Sequence, residues 1–128
     1  CCFDLEKMEL TYAGALRPLI IVSNGNIKEI KGDRFPIGGG SAYLKAPFKS
    51  HFLTINKGDS FFMYSDGYPD QFGGPKNKKY MNKNFKTYLA KQCTLSAEEQ
   101  AKNLEIELSE WKGGNEQVDD ILIMGVFF

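Results

Sequence analysis

Histidine is almost missing from this 128-residue chain: His51 is the only one. A three-histidine zinc site is therefore excluded within it, and a Ser-His-Asp triad would rest on a single base. Arginine is nearly as scarce, with Arg17 and Arg34 alone, so no cluster of guanidinium forks is available to grip phosphate. Neither sign of charge is in surplus, with 16 Lys+Arg against 16 Asp+Glu. A duplex-binding module needs excess cations to displace phosphate counterions, so nucleic acid is not an expected partner. Cys1, Cys2 and Cys93 are odd in number and fit neither a disulfide framework nor a CxxC knuckle. They indicate a reducing, cytoplasmic compartment. Apolar runs such as residues 121–128 are too short to span a membrane, and the start lacks the charged-then-apolar layout of a signal peptide. No membrane contact is expected of this segment. The absence of an initiator Met reads as a fragment cut from a longer protein.

What is present suits one packed domain: 42% of residues are hydrophobic, and no repeat or low-complexity tract interrupts them. Residues 2–5, 10–13, 19–22 and 27–31 read as short strands, the last two joined by a turn at Asn24-Gly25-Asn26. Residues 51–55 alternate, and after Lys57-Gly58-Asp59 the run 60–65 is a buried strand. Two helices follow. Met81, Phe85, Tyr88 and Leu89 share one face, and Ala97, Ala101, Leu104, Leu108 and Trp111 form a second stripe, with Trp111 expected to cover the sheet. Ser96 and Glu99 form a capping box, and Gly113-Gly114 ends that helix. Lysines between residues 76 and 86 and glutamates between 98 and 110 are solvated faces. Residues 121–128 close the chain as a strand.

The carboxylates carry the chemistry. Asp66 follows the strand 61–65, while Asp119 and Asp120 precede the last strand. Antiparallel pairing of those strands brings the three carboxylates to one edge. Alone they repel one another, and oxygen-only ligands select hard cations such as Mg²⁺ or Mn²⁺. Gly67 suits a close backbone approach there. Other readings are weaker. The Gly-rich loop 36–41 has no Lys where a P-loop needs one and is a plain turn, Ser65 lacks a base to activate it, and His51 and Cys93 are structural. A response-regulator receiver places its acidic pair after an early parallel strand, the wrong order for this chain.

The segment Phe62-Met63-Tyr64-Ser65-Asp66-Gly67-Tyr68-Pro69-Asp70-Gln71-Phe72-Gly73 resembles the "TDG(L/I)TEA…FG" segment of SpoIIE-like bacterial protein phosphatases, a branch of the type 2C (PPM) family. Val118-Asp119-Asp120-Ile121-Leu122-Ile123 is similar to that family's "DDITLLV" strand. Tyr12-Ala13-Gly14-Ala15-Leu16-Arg17-Pro18-Leu19 is similar to its "ANAGHNPPLL" strand pair, and Phe35-Pro36-Ile37-Gly38 to its "PLG" turn. Ala15-Leu16 replaces the usual His-Asn, and Asp70 stands where Glu is typical.

The resemblance implies an α+β fold: antiparallel sheets of a PPM-type β-sandwich, incomplete at the N-terminus, flanked by two helices. It implies that residues 1–128 are the C-terminal part of the phosphatase domain. Activity would be hydrolysis of phosphoserine or phosphothreonine on a protein by metal-activated water, without a covalent intermediate. Asp66 and Asp119 would be metal ligands, with Asp120 a further candidate, for two Mn²⁺ or Mg²⁺ ions. The family's "GGD" segment, whose Asp bridges both metals, is not in these residues, so the fragment alone is expected to be inactive. The substrate class would include antagonists of anti-sigma factors. Unpaired strand edges would promote self-association. The competing reading is a catalytically inactive regulatory module on the same fold, motivated by Ala15-Leu16 and the missing ligand.

Overall fold

The computed structural model describes residues 1–38 and 47–128. Four strands come first, β1 (Cys2–Asp4), β2 (Glu9–Tyr12), β3 (Leu19–Ser23) and β4 (Asn26–Ile30). After them come β5 (His51–Thr54), β6 (Ser60–Tyr64), a one-turn helix α1 (Gly67–Asp70), and the short β7 (Phe72–Gly73) and β8 (Lys78–Lys79). The chain finishes with α2 (Asn82–Lys91), α3 (Ala97–Lys112) and β9 (Ile123–Phe127). Of the loop read at residues 36–41, residues 39–41 lie outside the described residues.

The fold is α+β with antiparallel sheets, as expected. One sheet has the order β1-β2-β5, a second has β4-β3-β6-β9, and β7 and β8 form a hairpin. Asn24 and Gly25 both take positive φ, 48° and 75°, at the tip of the β3–β4 hairpin, the backbone that a two-residue turn between twisted strands requires and that Asn-Gly supplies.

The run Leu19–Ser23 is almost continuously apolar because β3 is buried on both faces. Its Ile20 and Val22 pack with Phe62 and Tyr64 of β6 against Tyr68, Phe85, Leu89 and Leu104 from the helices. Its Leu19 and Ile21 face the other way, joining Phe61 with Leu10, Tyr12 and Ile55 from the region of the first sheet. The second sheet is therefore the middle of three layers, and its central strands β3 and β6 are the best-buried elements.

Several details differ from the sequence reading. α1 is a helical turn where a simple turn was expected, and one turn is too short to show a periodicity. β7 and β8 are two-residue strands for the same reason unmarked in the sequence. Met81 does not share the buried face of α2: it caps the helix at φ 77° and is 57% exposed. Trp111 packs half-buried against the core cluster on the middle sheet, reaching it beside the β7–β8 hairpin. Its indole donates 3.0 Å to the Gln71 carbonyl and its ring stands edge-on to Tyr80, against Gly73 and Gly74. The last strand starts at Ile123 rather than Ile121.

Candidate metal centre

The register of the middle sheet decides what meets at its edge. β6 pairs antiparallel with β9, Tyr64 opposite Ile123, and with β3, Phe62 opposite Ile20. Three chain segments consequently share one end of the sheet: the start of β3, the exit of β6 carrying Asp66, and the approach to β9 carrying Asp119 and Asp120. The sequence reading brought together the last two and missed the first.

The seam between β6 and β9 is closed by Ser65. Its N–H donates 2.9 Å to the Leu122 carbonyl, while its hydroxyl donates 2.8 Å to the Asp120 carbonyl and accepts 2.9 Å from the Leu122 N–H. The hydroxyl is thus occupied in joining backbones, a role that sequence reasoning did not find. Gly67 lies directly against the same segment, where a Cβ would collide with the Asp120 carbonyl and reach within 2.9 Å of Ile121 Cγ1. Only glycine lets the turn after Asp66 approach so closely. The buried Gln71 donates 2.9 Å to the Glu116 carbonyl and so anchors the run towards Asp119.

Asp66 sits half-buried at the head of α1, its carbonyl accepting 2.9 Å from the Asp70 N–H. Its Oδ2 accepts from Arg17 Nη2 at 2.6 Å. That hydrogen bond, outweighing the small cost of burial, holds the Asp66 carboxyl below the usual carboxylate range. Asp119 and Asp120 are exposed, and Asp119 Oδ1 accepts 2.8 Å from the Asp120 N–H. Nearby, Lys79 pairs with Asp70 at 2.9 Å. Burial pushes the Tyr64 hydroxyl up to about 12, with Glu29 adding to the effect and Arg17 opposing it; the hydroxyl donates 2.9 Å to Asn82 Oδ1.

The structure therefore brings the Asp66 turn and the 119–120 segment into backbone contact. Among the described residues no three His, Cys, Asp or Glu side chains are grouped to hold a metal. The donors at this edge are carboxylate oxygens, a chemistry that fits a hard divalent cation. No helix among the described residues is long and apolar enough to cross a membrane.

The arrangement of sheets and helices is that of PP2C phosphatase domains. The chain is similar to the SiaA-PP2C domain of Pseudomonas aeruginosa, with TM-score 0.88 and 28% sequence identity, over 98% of this chain and 48% of that one. The PP2C phosphatase domain of SpoIIE from Bacillus subtilis, solved with a fragment of its regulatory domain, matches with TM-score 0.70 and 19% identity, over 96% of this chain and 35% of that one. RsbX in complex with magnesium matches with TM-score 0.55 and 23% identity, over 96% of this chain and 51% of that one. The chain thus spans about half, or less, of the solved chains it matches. No curated protein matches it. The model of the Stage II sporulation protein E (SpoIIE) family matches residues 1–127, and the chain belongs to that family.

Proposed function

We propose that the chain is the C-terminal part of a metal-dependent protein phosphatase domain acting on phosphoserine or phosphothreonine, with Asp66 and Asp119 as ligands of Mn²⁺ or Mg²⁺ and Asp120 beside them. The observation that carries this reading is the seam at Ser65 and Gly67, which holds the Asp66 turn against the segment bearing the other two carboxylates. Family membership and the likeness to the SiaA-PP2C domain support it. The magnesium in the RsbX structure agrees with a hard cation on oxygen ligands.

In this reading the remaining carboxylates come from the "GGD" segment of the rest of the domain. The ions, when bound, supply Lewis acidity and an activated water. The chain's own residues fix the spacing of the ligands: β6 presents Asp66, Ser65 pins the start of β9, and Gly67 removes the bulk that would separate them. The substrate is a phosphorylated regulatory protein of the kind that antagonises anti-sigma factors. The free thiols of Cys1, Cys2 and Cys93 suit a cytoplasmic setting.

A second reading, an inactive regulatory module, is favoured by one feature: Arg17 already occupies an Asp66 oxygen. Turnover of a phosphopeptide by the full-length protein, with Mn²⁺ titrated calorimetrically, separates the two. Asp66→Asn and Asp119→Asn are expected to nearly abolish turnover and weaken Mn²⁺ binding while the circular dichroism spectrum is kept. Wild-type-like turnover in either variant overturns the ligand assignment, and a wild type that neither binds Mn²⁺ nor turns over moves the conclusion to the module.

A further inference from the structure

Arg17 is a cation paired with the Asp66 carboxylate, and its backbone is closely constrained for a residue with an exposed side chain. Leu16, immediately before it, takes φ 63°, a left-handed conformation that a bulky side chain adopts only when its surroundings enforce it. Those surroundings are visible. The Leu16 N–H donates 2.7 Å to the Asp33 carbonyl, the Asp33 N–H donates 2.7 Å to the Gly14 carbonyl, and the Arg17 carbonyl accepts from the Tyr12 hydroxyl. A Cβ on Gly14 would strike the Tyr12 ring, and one on Gly32 would come within 2.6 Å of the Arg17 carbonyl. These contacts fix the Arg17 backbone, and Pro18 after it restricts that backbone further.

The side chain nonetheless faces solvent: Arg17 is 52% exposed and Asp66 38%. A macromolecular substrate can reach both. A guanidinium has five donors in a planar fork, and Asp66 Oδ2 engages only Nη2. The neighbouring cation, Lys79, is held by Asp70.

We propose that Arg17 binds the phosphoryl group of the substrate at this site, an inference that rests on the phosphatase reading above. With a divalent cation held by Asp66, the Arg17 guanidinium would share that carboxylate less, and its remaining donors would be available to an anion beside it. Arginine suits a phosphoryl group because its fork matches two phosphate oxygens with charge-assisted hydrogen bonds. The Arg17–Asp66 pair is thus the resting state of a residue whose working partner is phosphate.

The test uses the full-length protein, with inorganic phosphate as the probe, titrated calorimetrically at saturating Mn²⁺. Steady-state kinetics on a phosphopeptide and a Mn²⁺ titration run alongside. Arg17→Ala is expected to weaken phosphate binding tenfold or more and to raise KM more than it lowers kcat. Its Mn²⁺ affinity is expected to be unchanged or tighter, because the competing guanidinium is gone. Arg17→Lys, which keeps the charge but loses the fork, should recover part of the phosphate affinity and controls for folding. Unaltered phosphate binding in both variants overturns the inference while leaving the phosphatase reading intact. Mn²⁺ affinity that falls along with phosphate affinity also overturns it, making Arg17 a positioning residue for Asp66. Absence of both Mn²⁺ binding and turnover in the wild type removes the phosphatase reading and this inference together.

Discussion

Arg17 and Asp66 are 49 positions apart in the sequence and 2.6 Å apart in space, joined across the ends of two adjacent strands. The contact marks the side of the sheet where backbone geometry, not side-chain abundance, gathers charge.

Gly67→Ala should separate the Asp66 turn from the 119–120 segment, since the added carbon has only the Asp120 carbonyl and Ile121 to displace. Overpacking of this kind costs about 1–3 kcal/mol. In the full-length protein a drop in Tm together with weaker Mn²⁺ binding is expected. A variant with unchanged Mn²⁺ affinity would show that the spacing at Gly67 does not set the ligand geometry.

Ser65→Ala leaves the Leu122 N–H without its hydroxyl acceptor and removes a donor from the Asp120 carbonyl. Loss of partners at such groups costs about 1–3 kcal/mol, reduced here because the site is partly open to water. Urea unfolding should show a lower midpoint at unchanged slope. Retained turnover above a tenth of the wild-type level would agree with a joining role, whereas complete inactivity in a stably folded variant would return Ser65 to the list of reacting groups.

Tyr12→Phe removes the hydroxyl that binds the Arg17 carbonyl and keeps the ring in the inter-sheet core. A destabilisation of about 1 kcal/mol is expected. Faster amide exchange should be confined to residues 14–17 and 33. Exchange that quickens equally in β6 would mean that the hydroxyl stabilises the core rather than the loop.

The start of α3 should weaken in acid. Glu99 accepts from the Ser96 N–H at 2.9 Å and from its hydroxyl at 2.8 Å, and these bonds, the backbone one foremost, lower its carboxyl below the ordinary range. A lowered folded-state value means that the stabilisation is present above the unfolded carboxylate range and is lost as pH falls through the lowered value. Glu99→Gln should flatten that part of the acid-unfolding profile. An unchanged profile would assign the acid sensitivity elsewhere.

Sequence pattern reached the elements whose causes are local. Asn24-Gly25 specified the hairpin tip, the Ser96/Glu99 box specified the start of α3, and the doubly buried β3 and β6 showed as unbroken apolar runs. The meeting of Asp66 with the 119–120 segment was also readable, because antiparallel pairing of two strands adjoining carboxylates implies it. Arg17 was not found, since its place depends on β3 pairing with the far side of β6, a relation between residues too distant for any local pattern. The signal that would have found it is the rarity of arginine together with its position at the head of a strand. α1 and the β7–β8 hairpin were missed because elements of two to four residues complete too little of any period.

The middle sheet gives the two sides of the seam unequal support. β6 is paired on both flanks and nearly fully buried, whereas β9 ends the sheet with no further strand beyond it among the described residues and has only Ile123 and Val126 half-buried, the rest exposed. Asp66 therefore leaves a strand held on both flanks, whereas Asp119 and Asp120 lead into one held on a single flank among the described residues.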